Sequence, residues 1–100
     1  KKTTYEKSYQ RELETLREKI DVSDQAILDA LGKRMKVAES IGQLKKDNNV
    51  AVLQNKRWNE ILETMQAEGV ERNLSEEFIT QIFKAIHQES INHQEKVING

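Results

Sequence analysis

Stepped alternately by four and three residues, the stretch from about Thr4 to Lys46 yields one series: Leu13, Arg17, Ile20, Asp24, Ile27, Leu31, Arg34, Ala38, Ile41 and Lys45. This is the a/d spacing of a packed helix. Four of the ten positions are charged, and three of those are cationic. A purely structural seam is apolar, because burying an unpaired charge is costly. The pattern predicts one very long helix whose cations are either solvated or turned toward an anion.

Two shorter helices follow. Asp47-Asn48-Asn49 competes with helical hydrogen bonding and should end the first. Val50-Ala51-Val52 bridges to a second helix over about Leu53–Glu68, with Trp58, Ile61, Leu62 and Met65 on its apolar face and Gly69 as its expected C-terminal cap. Ser75 is a strong N-cap for a third helix, with Glu76 and Glu77 at the positive end of its dipole. Its stripe runs Ile79, Ile82, Phe83, Ile86, then Ser90, Gln94 and Val97. The polar pair Ser90 and Gln94, four residues apart, shares one face and repeats the oddity of the first helix.

The fold class is therefore all-α, and the absence of Pro with only four Gly agrees. Residues 1–12 are polar and read as a lead-in or linker, with Thr3 and Glu6 spaced as a capping box; residues 13–100 form the domain. At about 1.5 Å per residue the first helix is roughly 65 Å long, and the other two together reach roughly 60 Å. With 36% hydrophobic and 33% charged residues, one chain has little apolar material to cover such a rod. Two long helices packed together in a homodimer resolve this. Asp24 is expected to pair with a nearby cation.

The net charge of −1 argues against a nucleic-acid or membrane partner. The absence of Cys removes disulfides and thiolate chemistry and suits a reducing, cytoplasmic setting. No apolar run approaches the roughly 18 residues of a membrane span, and no signal peptide is visible. His87 and His93 fall on different faces, so no metal site is expected. A start at Lys1 rather than Met leads us to expect a segment of a longer chain.

Arg34 and Lys45, eleven residues apart, lie on nearly one face, roughly 16 Å apart along the axis, and can converge on a small anion between them. Arg57, just past the bridge, adds a cation, while Ser90 and Gln94 add neutral donors. Such a set suits a small, multiply anionic ligand, with guanidinium forks for carboxylates. Arg17 lies roughly 42 Å of helix from Lys45, so within one chain it cannot share that pocket. In an antiparallel dimer a partner's Arg17 can.

At these residues the sequence resembles the all-helical, type II chorismate mutases. The segments L-R-E-K-I-D (16–21), K-R-M-K-V-A-E-S-I-G-Q-L-K (33–45), Arg57 and S-I-N-H-Q (90–94) fall at family spacing without a gap, over roughly residues 13–97. The resemblance implies an intertwined homodimer of three-helix chains with two active sites and no cofactor or metal. It implies that the substrate is chorismate, converted to prephenate in the biosynthesis of aromatic amino acids. By position, Arg17 resembles the arginine donated by the partner subunit, and Arg34 the main carboxylate-binding arginine. Lys45 and Gln94 resemble the donors to the ether oxygen, Arg57 the second-helix arginine, and Ser90 the hydroxyl that helps hold a carboxylate.

Two positions depart from the best-known pattern. Trp58 stands where an acidic residue often binds the substrate hydroxyl, and Gln54 where an aspartate can occur. Gln54 or a backbone group is the expected substitute. The departure at Trp58 is shared by isochorismate pyruvate lyases, an alternative enzyme on the same scaffold. A further alternative is a regulatory or dimerisation domain fused to a heptulosonate-phosphate (DAHP) synthase, an arrangement known for such mutase domains.

Overall fold

The structure, a computed structural model, describes residues 4–100, with side chains from Glu6 onward. It contains three helices, α1 (Thr4–Asn48), α2 (Asn55–Glu71) and α3 (Glu76–Asn99), and no strand among the described residues. Helix α1 already runs through residues 4–12; the expected capping box involves Thr3, which lies outside the described residues. No helix among the described residues is long and apolar enough to cross a membrane.

The chain divides into two units, one ending at Gly32 and the other spanning Lys33–Gly100. In the first unit Leu13 and Leu31 are half-buried, whereas Leu16, Ile20, Ile27 and Leu28 are all more than half exposed. Asp24 makes no ion pair among the described residues. Its neighbours at three and four residues are Ile20, Asp21, Ile27 and Leu28, so no cation stands where helical geometry would bring one.

In the second unit the contacts themselves give the helix directions. Met35 meets Ser90, Glu39 meets His93 and Lys46 reaches the Val97 carbonyl, so this part of α1 and α3 run parallel. Gln66 bonds Thr80 and Trp58 stacks on His87, so α2 and α3 run antiparallel. The core is small: Met35, Ala38, Ile79 and Ile91 are its buried apolar residues, with Ser90 and Gln94 buried among them.

Both interhelix turns are built on asparagine. Asn49 (φ 55°) and Asn73 (φ 61°) take the left-handed conformation, which Asn tolerates better than most residues. Val50 N–H then donates to the Lys45 carbonyl at 2.9 Å, and Leu74 N–H to the Gly69 carbonyl at 2.9 Å. These are the six-to-one bonds of two Schellman caps. The expectation that Gly69 caps α2 is thus corrected. Gly69 is a buried residue inside the helix, and a Cβ there would sit 2.6 Å from Ile79 Cγ1. It is glycine because α3 packs on it. Ser75 caps α3 as expected, accepting from Phe78 N–H at 3.2 Å.

Candidate active site

The second unit holds an open cavity of about 460 Å3 between its three helices and the bridge, within the range of small-molecule sites. Arg34, Val37, Ala38, Ile41 and Lys45 line it from α1. Val52 and Gln54 line it from the bridge, Arg57, Trp58 and Ile61 from α2, and His87, Ser90, Ile91 and Gln94 from α3. Ile41 and Val37 are exposed residues that line this space. Seven of the eight residues expected from the sequence therefore share one cavity. Arg17, the eighth, belongs to the other unit and is exposed.

Each cation is held in a way that leaves donors free. Lys45 Nζ donates to the Val52 carbonyl at 2.7 Å and to Gln94 Oε1 at 2.8 Å. An ammonium has three protons, so one remains for a ligand. With its oxygen committed to Lys45, the Gln94 amide keeps its NH2 as a donor. Arg34 Nη1 donates to Ser90 Oγ, and Ser90 Oγ in turn contacts Met35 Sδ at 3.8 Å. The Arg34 fork keeps its other N–H groups for an anion. Arg57 is mostly exposed and pairs with Glu60 at 3.9 Å, an ion pair of the kind that contributes little.

The lining contains three cations and no carboxylate. Burial, and then the nearby Arg57 charge, lower the Arg34 pKa; burial alone lowers that of Lys45. Both shifts mean the charged forms lack compensation, which a bound anion would supply. One imidazole without thiol or carboxylate is a poor set of metal ligands and a good set of anion donors.

Close packing fixes the α1–α3 spacing at the site. A Cβ on Gly42 would lie 2.9 Å from Gln94 Cα and 3.1 Å from its carbonyl oxygen. Gly42 thus lets α3 approach until Gln94 reaches Lys45. Just outside the cavity, His93 bridges the same two helices through Nδ1 to Glu39 (2.8 Å) and Nε2 to Glu89 (3.2 Å).

The sequence reading missed His87. It sits in the cavity one turn before Ser90, its ring stacked on Trp58 with centroids 4.2 Å apart and planes 13° apart. Burial first, then the charges of Arg34 and Lys45, lower its pKa. The available signal was its spacing: residues 87, 90 and 94 form one stripe of α3. The Val52 carbonyl was also missed, since a backbone acceptor leaves no mark in sequence.

Residues 16–95 match the chorismate mutase type II family. The bifunctional chorismate mutase/prephenate dehydratase of Buchnera aphidicola subsp. Acyrthosiphon pisum is 33% identical over 82 residues, covering 82% of this chain and 21% of that protein. Its counterpart from Buchnera aphidicola subsp. Schizaphis graminum is 32% identical over 88 residues, covering 88% of this chain and 23% of that protein. The chain thus spans about a fifth of the length of these relatives. The match takes in α2, the bridge, the cationic part of α1 and the His87–Gln94 stripe of α3, and the chain belongs to the type II chorismate mutase family.

Proposed function

We propose that this chain converts chorismate to prephenate. The observation that carries the reading is a cavity of three cations and no carboxylate, with Lys45 and Gln94 locked side by side as donors. Chorismate is a dianion with a ring hydroxyl and an enolpyruvyl ether. Its rearrangement breaks a C–O bond and forms a C–C bond within one molecule, so it requires no nucleophile, base or metal. The protein has to hold the reactive chair and stabilise charge growing on the ether oxygen.

Arg34, supported by Ser90, grips one carboxylate and restricts the conformer. The free proton of Lys45 and the NH2 of Gln94 meet the ether oxygen. One preorganised donor of this kind contributes about 3–4 kcal/mol to transition-state stabilisation. Two approach the roughly 8 kcal/mol at the low end of enzymatic rate enhancement. Arg57 raises the positive potential at the mouth, and Trp58 forms the wall where the best-known family pattern often has an acid.

We further infer a homodimer in which the partner's Arg17 completes the cavity. Ile20 and Ile27, seven residues apart, are exposed at 60% and 56%, the spacing of a helix–helix seam. A cysteine-free chain acting on a metabolite dianion suits the cytoplasm. The two relatives are named as fusions with prephenate dehydratase, whereas the alternative drawn from the sequence is a fusion with DAHP synthase. Separate incubation with chorismate and with isochorismate, followed by product identification, tests the activity. Prephenate from chorismate supports it. Salicylate plus pyruvate from isochorismate alone would assign the lyase, and binding without turnover a regulatory role.

A further inference from the structure

A buried hydroxyl needs an acceptor for its proton, and the three cations of the cavity can only donate. Most of the neutral acceptors are already engaged. Ser90 Oγ receives Arg34, while Gln94 Oε1 and the Val52 carbonyl receive Lys45. Among the lining side chains, Gln54 and His87 remain. Gln54 is exposed on extended backbone before α2, and its side chain makes no capping bond to that helix. His87 is half-buried, and the stack on Trp58 holds its ring in one plane.

Burial, and then the charges of Arg34 and Lys45, lower the pKa of that ring and so favour its neutral form. A neutral imidazole has one nitrogen that accepts and one that donates.

We propose that His87 binds the ring hydroxyl of the substrate, accepting its proton at the unprotonated ring nitrogen while Trp58 orients the ring. The assignment rests on the mutase reading, which supplies a substrate with such a hydroxyl. It gives α3 three polar binding points, His87, Ser90 and Gln94, along about 10 Å of one stripe. It also gives Trp58 a purpose: the indole replaces an acid as the platform for a neutral acceptor. His87 is a specificity residue on this view, separating ring-hydroxylated dianions from those lacking the group.

The test compares wild type with His87→Phe, which keeps an aromatic ring for the stack and removes both nitrogens. kcat/KM is measured on chorismate and on the analogue lacking the ring hydroxyl. We expect about a tenfold loss on chorismate, the size of one lost neutral hydrogen bond in a partly buried site, and no loss on the analogue. Equal losses on both substrates, or none on chorismate, would overturn the proposal. A measurement on the unaltered protein stands beside it. The chain has two histidines, so the ring nitrogens of His87 can be assigned by 15N NMR. Adding prephenate, which retains the hydroxyl, should shift the unprotonated nitrogen, and an unmoved resonance under saturation rejects the assignment. A wild-type protein that leaves chorismate unconverted refutes the mutase reading itself, a result separate from either of these.

Discussion

Gly42→Ala sets helix propensity against packing at a point where α1 lies close against the α3 backbone. Its new Cβ would meet Gln94 Cα at 2.9 Å, the carbonyl oxygen at 3.1 Å and Cβ at 3.3 Å. Carbon atoms rest about 3.5–4.0 Å apart, so α3 must retreat by roughly 0.6–1 Å. Backbone atoms cannot rotate away as a side-chain tip would. Overpacking of this kind costs about 1–3 kcal/mol. Alanine returns about 1 kcal/mol of helix propensity. The net change is a loss of about 0–2 kcal/mol.

Gly32→Ala is the matched control, because nothing lies within 4 Å of a Cβ there. It should gain about 1 kcal/mol. The functional effect of Gly42→Ala should exceed its effect on stability. Moving α3 by most of an ångström carries Gln94 away from Lys45, and displacements near 1 Å cost up to about 100-fold in rate. Denaturant unfolding and chorismate consumption read the two effects. If Gly42→Ala stabilised the protein as Gly32→Ala does and kept full turnover, the close approach would not be setting the donor geometry.

Other predictions follow from the same contacts. Lys45→Ala should lower kcat by about 100- to 1000-fold while leaving the helical signal intact, because it removes a donor rather than a core residue. Circular dichroism and turnover on the same sample check both halves. The His93 bridge should make stability depend on pH. Its pKa is raised, chiefly by the hydrogen bond to Glu39, with Glu89 adding to it and desolvation opposing. A raised folded pKa means the contribution is full below the unfolded value of about 6.5 and is lost as pH rises through the folded value above it. Unfolding titrations across that window should flatten in His93→Gln; an unchanged slope would deny the bridge any part.

The helices were legible because their signals are local. The three- and four-residue stepping of α1, the Asn run that ends it and the Ser75 cap each act within a turn or two. Gly69 was misread for the same reason. As local chemistry a glycine near a helix end suggests a cap, but here a residue ten positions later, Ile79, demands the space. The left-handed corner falls instead to Asn73, an acceptable second choice for that conformation. In the site, charge at seam positions exposed Arg34 and Lys45, since nothing structural explains them there. His87 carried no such contradiction. A histidine in an apolar stripe is ordinary, and its stack on Trp58 depends on α2 and α3 lying antiparallel, which sequence spacing does not encode. The same holds for the Val52 carbonyl, fixed only when the bridge folds back over Lys45.

Whether the cationic cavity is an active site shared between two chains is tested most directly by mixing two inactive proteins. Arg17→Ala lacks the residue donated to the partner, and Lys45→Ala lacks the ether-oxygen donor of its own cavity. In a mixed dimer one cavity has Lys45 from its own chain and the partner's Arg17, and the other lacks both. After random subunit exchange half the dimers are mixed, so about a quarter of wild-type sites are restored. Chorismate turnover near that fraction is the predicted result. No recovery, with exchange demonstrated independently, would contradict it.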